Sequence, residues 1–185
     1  MRTFLAIDIS DEVRKKVAFL IEKFKGIDSG IKWVDPNNIH ITIYFFGEID
    51  ENTKEGLETI VETSLKGVSR FSLTVEEISA FPSMRYPRVI WVGIKDESGE
   101  LGAIFSTVKD GIEERNLPVN RENRAYKPHL TLGRVKRHPG NRLMREIEKH
   151  GTELFGSFTV DSVTLYRSTL TRDGPMYESL RKFSI

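Results

Sequence analysis

Two kinds of hydrophobic spacing recur along the 185-residue chain, and each predicts a different element of secondary structure. Alternation of apolar and polar residues at every second position, together with runs of β-branched and aromatic residues, is typical of strands. The strands predicted in this way cover residues 2–9, 31–34, 40–46, 70–81, 88–94, 129–135, 157–169 and 177–185.

Apolar residues spaced three and four positions apart predict four helices between these strands. The first helix follows Ser10, a favourable N-cap residue, and runs to about Lys25. The second follows Asp50, and the third and fourth cover about residues 98–115 and 141–150. Strands interleaved with four helices indicate an α+β fold.

A His-x-Thr strand occurs once in each half of the chain, at residues 40–42 and 129–131. The two histidines are separated by 129 − 40 = 89 residues, about half of the chain. This order indicates a loose internal duplication, and we find no linker between the halves. We therefore expect residues 1–185 to form one domain of two lobes, with one His-x-Thr-x motif per lobe (40–43 and 129–132) and a groove between them.

Composition narrows the class of function. The formal net charge of +1 is too small for a protein that coats duplex nucleic acid, so nucleic-acid contact would be local. The absence of cysteine excludes disulfides, thiolate zinc sites and cysteine nucleophiles, and no tight His/Asp/Glu cluster predicts a metal site. Without an apolar run long enough for a bilayer or a signal peptide, we expect a cytoplasmic protein. Absence of glutamine beside abundant Lys and Glu is typical of heat-adapted proteins.

The His-x-Thr strands carry the candidate chemistry. Residues i and i+2 of a strand share a face, so His40 lies beside Thr42, and His129 lies beside Thr131. A single histidine in a strand is more often structural than catalytic, but the recurrence of the tripeptide favours a functional pair. Two imidazoles can supply a general acid and a general base near neutral pH, and threonine hydroxyls can hold phosphate oxygens. This set suits hydrolysis of a phosphodiester without a metal.

The chain resembles the two-histidine phosphoesterases, in particular the RNA 2′,3′-cyclic phosphodiesterase branch, which is also called 2′-5′ RNA ligase. The segments that carry the resemblance are RTFLAIDIS, IKWVDPNNIHITIYFFGEI, FPSMRYPRVIWVGI, YKPHLTLGRV and YESLRKFSI. The resemblance implies a bilobal, pseudo-twofold α+β fold in which two antiparallel sheets face a groove and helices cover the outer faces. It implies opening of a 2′,3′-cyclic phosphate to a 2′-phosphomonoester, with His40 as proton donor, His129 as proton acceptor and both threonines on the phosphate.

Further residues are candidates for binding the substrate. Strict alternation turns Arg134 away from the groove unless Gly133 bends or bulges the strand. Alternation also places Tyr44 and Phe46 on the face of His40, and Tyr126 is another candidate for stacking against a base.

Alternative functions remain open at this point. They are ligation of cyclic-phosphate and 5′-hydroxyl RNA ends (tRNA halves, for example), action on a small cyclic nucleotide or ADP-ribose derivative, and non-catalytic binding of RNA ends. No cofactor is expected for hydrolysis. Because the chain has no P-loop, a nucleotide requirement for ligation is not inferred. We expect a monomer without an obligate protein partner.

Overall fold

The computed structural model describes residues 1–28, 30–172 and 174–185, which form nine strands and four α-helices. The strands are β1 (Arg2–Asp8), β2 (Ile31–Trp33), β3 (His40–Glu48), β4 (Phe71–Phe81), β5 (Val89–Lys95), β6 (His129–Val135), β7 (Leu154–Val160), β8 (Ser162–Leu170) and β9 (Pro175–Ser184). The helices are α1 (Asp11–Lys25), α2 (Glu51–Ser64), α3 (Glu100–Glu114) and α4 (Asn141–Lys149). The predicted α+β class is confirmed.

All nine strands belong to one antiparallel sheet, in the order β7-β4-β5-β6-β3-β1-β8-β9, with β2 also beside β6. The centre of this sheet is where the two motif strands meet. Within the described chain, β3 and β6 pair in register at Ile41 and Leu130, both of which are completely buried. The two facing sheets expected from the resemblance are therefore the two halves of one sheet, joined through a single pair of residues.

The helices pack in two pairs, and each pair takes one helix from each half of the chain. Helix α1 contacts α4 and β7, whereas α2 contacts α3 and β9. Because the helices are exchanged in this way, the hydrophobic core runs through both halves of the chain. None of the helices in the described ranges is long and apolar enough to cross a membrane.

Local sequence explains where the helices begin and which face they bury. The Ser10 side chain accepts a hydrogen bond from the Val13 amide (3.3 Å), and Asp50 accepts one from the Thr53 amide (2.8 Å). These caps satisfy amides that have no partner inside the helix. The predicted apolar faces are buried as expected, including in α1 the residues Val13, Val17, Leu20, Ile21 and Phe24.

The prediction of a single strand over residues 157–169 was wrong. The segment forms two strands, β7 and β8, which are separated at Asp161. Strand β7 pairs with β4 and β8 pairs with β1, so the chain passes at Asp161 from one half of the sheet to the other. Strand propensity is nearly continuous across this point, because it reflects side-chain types and not the identity of the neighbouring strand.

Candidate active site

The first catalytic candidate, His40, begins β3 and is held at both ring nitrogens. A 3₁₀ turn at Pro36–Asn38 precedes it, and the Asn38 carbonyl lies 2.8 Å from Nδ1. Because a carbonyl can only accept, Nδ1 carries the hydrogen, and Nε2 is the nitrogen available for proton transfer. Nε2 lies 3.1 Å from the Thr42 hydroxyl oxygen. The Phe4 ring stacks on the imidazole with centroids 4.7 Å apart.

The second candidate, His129, begins β6 in a matching arrangement. Its Nδ1 lies 2.7 Å from the carbonyl of Lys127, which is two residues earlier in the chain. His40 has the same arrangement with the carbonyl of Asn38. The same tautomer follows, with Nε2 available for proton transfer. Phe81 contacts the ring edge-on with centroids 5.3 Å apart. Each histidine is thus oriented by a backbone carbonyl and an aromatic neighbour.

The pairing of Ile41 with Leu130 brings the two motifs together. In an antiparallel register centred on that pair, His40 is opposite Thr131, and Thr42 is opposite His129. Alternation points all four polar side chains away from the buried Ile41 and Leu130, and all four line one groove of about 1060 Å³. The two imidazoles therefore occupy diagonal corners, with a hydroxyl at each of the other two.

Each motif strand has a β-bulge three residues after its histidine. Leu5 pairs with Tyr44 and Ala6 with Thr42, which leaves Ile43 as the extra residue of β3. In β6, Gly133 pairs with Ile90 and Thr131 with Trp91, which leaves Leu132 as the extra residue. A bulge reverses the alternation beyond it. The fifth residue after each histidine therefore faces the groove, and these residues are Phe45 and Arg134.

The bulges correct the predictions for the aromatic residues. Tyr44 and Phe46 do not share the face of His40, because both lie in the core, 2% and 0% exposed. Phe45, which the sequence reasoning missed, takes the position beside the groove. Tyr126 also lies behind β3, where its ring stacks on Phe105 and its hydroxyl donates to the Thr42 carbonyl (3.1 Å). Arg134 faces the groove because β6 bulges just before it, which is the case in which the sequence predicts this orientation.

Burial lowers the pKa of both catalytic candidates below that of a free imidazole. For His40, the Asn38 carbonyl and the Asp8 carboxylate raise the pKa in opposition to burial, and Arg14 adds a smaller lowering. Asp8 lies opposite His40 in the β1–β3 register, and both of its carboxylate oxygens accept from the Tyr166 hydroxyl (2.8 and 2.9 Å).

The charges around His129 have the opposite sign. Burial lowers its pKa, the Lys127 carbonyl raises it, and the positive charges of Arg134 and Lys127 lower it further. The Lys127 ammonium lies 4.5 Å from the centroid of the Trp91 ring, and the centroid of that ring is 6.2 Å from that of the imidazole. One imidazole thus has a carboxylate nearby that favours its protonated form. The other has two cations nearby that favour its neutral form.

The groove is more basic than the chain as a whole. Among the described residues that line it, five are cationic and one, Asp35, is a carboxylate, although the net charge of the whole chain is only +1. The lining cations are Arg2, Lys25, Lys32, Arg134 and Lys136. Tyr177, Leu170 and Met176 add an apolar rim on the β8–β9 side. In the described part of the chain, no cluster of three or more His, Asp or Glu side chains could hold a metal ion.

Comparisons with a family model and with proteins of known sequence point to the same kind of protein. The family model described as LigT-like phosphoesterase matches residues 7–91 and again residues 92–177. A relative from Archaeoglobus fulgidus named RNA 2′,3′-cyclic phosphodiesterase is 36% identical over 99% of both chains. Another of the same name, from Methanocaldococcus jannaschii, is 38% identical over 99% of this chain and 100% of its own.

Solved structures show the same fold. A crystal structure of a Thermus thermophilus protein has a TM-score of 0.85 and 26% identity, with 100% of this chain and 97% of that chain covered. Escherichia coli LigT, solved with 3′-AMP, has a TM-score of 0.76 and 22% identity over 100% of this chain and 97% of its own.

Proposed function

Because the chain belongs to the LigT-like phosphoesterase family, we propose that it hydrolyses the 2′,3′-cyclic phosphate at the 3′ ends of RNA. One observation carries the proposal. Two imidazoles with the same tautomer stand at diagonal corners of one groove, with a threonine hydroxyl at each of the other two. The relatives from Archaeoglobus fulgidus and Methanocaldococcus jannaschii carry the name of this activity.

In the proposed reaction, a water molecule attacks phosphorus in line with the 3′ oxygen of the cyclic ester. His129 takes a proton from the water as the new P–O bond forms. His40 gives a proton to the 3′ oxygen as its P–O bond breaks, which leaves a 2′-phosphomonoester and a 3′-hydroxyl. Thr42 and Thr131 donate to the non-bridging oxygens, where negative charge accumulates in the transition state. A divalent metal has no part in these steps.

The surrounding charges support this division of roles. A general acid must carry its proton before the reaction. Burial lowers the pKa of His40, and the Asp8 carboxylate opposes that lowering by favouring the charged form. A general base must begin neutral, and Arg134 and Lys127 favour the neutral form of His129. Arg134 also suits the phosphate, because a guanidinium can donate two parallel hydrogen bonds to its oxygens.

The decisive experiment follows hydrolysis of an oligonucleotide with a 2′,3′-cyclic phosphate end in excess chelator. His40→Ala and His129→Ala should each lower kcat by about 10²–10⁴-fold, the usual contribution of a general acid or base. The double variant should lose little more than either single variant, because the pair acts as a unit. His138→Ala, at an exposed position outside the groove lining, is the matched control and should keep full activity.

Three outcomes contradict parts of the proposal. Activity that disappears with chelator shows that a metal takes part. A 3′-phosphate product reverses the assigned direction of ring opening. A joined 2′-5′ product that predominates when a 5′-hydroxyl RNA is added makes ligation the main activity. Circular dichroism of each variant separates loss of chemistry from loss of fold.

A further inference from the structure

A row of cations continues beyond the catalytic groups along strands β2 and β6. Lys32 is directly opposite Arg134 in the antiparallel register of these strands. Lys136 is two residues beyond Arg134, just after β6 ends at Val135, and its side chain also lines the groove. All three side chains are exposed and line the groove. We call Lys32 and Lys136 the lysine strip and treat Arg134 separately, because it stands nearer the motif.

The lysine strip carries positive charge that the described part of the protein does not neutralise. Across the described ranges, no carboxylate lies within ion-pairing distance of Lys32 or Lys136, whereas Lys25 nearby is paired with Glu22. Asp35, the acidic residue among the described residues that line the groove, accepts a hydrogen bond from the Asn37 amide. Like charges held together on a surface repel one another, and an anionic ligand relieves that repulsion.

Lys136 is too far from the motif to hold the reacting phosphate. Lys136 follows Thr131 by five residues, on the order of 15 Å along an extended strand. A lysine side chain has only a four-carbon stem and cannot span that distance. The backbone of Lys136 is held next to the start of β2, because its amide donates a hydrogen bond to the Gly30 carbonyl (2.9 Å). An anion held by Lys136 is therefore a second group, separate from the cyclic phosphate at the histidines.

We propose that the lysine strip binds phosphates on the 5′ side of the terminal nucleotide, so that the substrate is a single-stranded RNA rather than a mononucleotide. This inference rests on the proposed function. In an RNA with a 2′,3′-cyclic phosphate end, every other phosphate lies on the 5′ side of the reacting group. A strand whose end lies at His40 and His129 can continue along β6 to Lys32 and Lys136. The apolar rim across the groove, together with Phe45, remains available to the bases.

The test compares a nucleoside 2′,3′-cyclic phosphate with a hexanucleotide that has the same end. For the wild type, kcat/KM should be higher for the hexanucleotide. In Lys32→Ala/Lys136→Ala, the ratio of the two kcat/KM values should fall severalfold. The slope of log kcat/KM against log salt for the hexanucleotide should become shallower by about 1.4, since each single-strand phosphate contact contributes about 0.7. The control Lys15→Ala/Lys66→Ala removes two exposed lysines outside the groove and should leave the ratio unchanged.

A binding measurement tests the lysine strip independently of catalysis. A labelled hexanucleotide with a 2′-phosphate end should bind the wild type more tightly than the strip variant, even if the wild type hydrolyses neither substrate. In that case the proposed function fails and the strip assignment stands. Equal ratios and equal salt slopes in wild type and strip variant overturn the assignment. A lysine-dependent affinity for ATP, without any advantage of hexanucleotide over mononucleotide, would replace RNA by a nucleoside polyphosphate as the ligand.

Discussion

Replacing Gly133 by alanine tests whether the β6 bulge is held by close packing against β2. A Cβ atom at Gly133 would lie 2.6 Å from Cγ2 of Ile31 and 2.9 Å from Cε3 of Trp33, and 3.3 Å from the Lys32 carbonyl oxygen. Ordinary contacts begin at about 3.4 Å, so the nearest pair must separate by about 3.4 − 2.6 = 0.8 Å. Gly133 and Ile31 are both buried, which limits how far a side chain can rotate away.

The expected cost is that of overpacking a buried site by one methyl group, about 1–3 kcal/mol of unfolding free energy. For a chain of this length, that corresponds to a fall in Tm of roughly 2–12 °C. The displacement acts on β2, whose Lys32 and Trp33 line the groove, and spares the packing of His40 against Phe4. We therefore expect KM for the oligonucleotide to rise more than kcat falls.

Urea denaturation and steady-state kinetics of Gly133→Ala measure both effects. Gly102→Ala is the matched control. It makes the same chemical change at an exposed position of helix α3, where a Cβ meets nothing within 4 Å. Helix propensity predicts that the control gains up to about 1 kcal/mol. If Gly133→Ala unfolds at the same urea concentration as the wild type and keeps its KM, the close approach of β2 does not hold the bulge.

Two further predictions concern the charge beside His40, the proposed general acid, and the two faces of β3. In Asp8→Asn, loss of the carboxylate should lower the pKa of His40 and leave that of His129 unchanged, as followed by NMR titration of both imidazoles; equal shifts at both would contradict the assigned asymmetry. Tyr44→Phe leaves a backbone amide and a carbonyl without the hydroxyl they bond (3.1 and 3.2 Å), so it should cost about 1–3 kcal/mol of stability. Phe45→Ala should instead raise KM with little loss of stability. If Tyr44→Phe raised KM and Phe45→Ala lowered stability, the side chains of β3 would follow simple alternation and the bulge assignment would be wrong.

Much of this protein could be predicted from the sequence because the relevant signals are local. The buried face of α1 follows from the helical periodicity of its apolar residues, and the start of this helix follows from the N-cap residue Ser10. The sharing of one face by His40 and Thr42, and by His129 and Thr131, follows from the period of two in an extended backbone. These properties depend on neighbours along the chain, so they need no knowledge of where the strand lies.

Other features were decided by tertiary structure, because they depend on which strand lies alongside. The bulges that turn Phe45 and Arg134 toward the groove arise from cross-strand register with β1 and β5. The break at Asp161 exists because its two flanking strands pair in different halves of the sheet. The opposite charges near the two histidines come largely from strand pairing and loop approach, as with Asp8 opposite His40. The residues that can do acid–base chemistry are thus recognisable from sequence alone, whereas strand register determines what surrounds each of them.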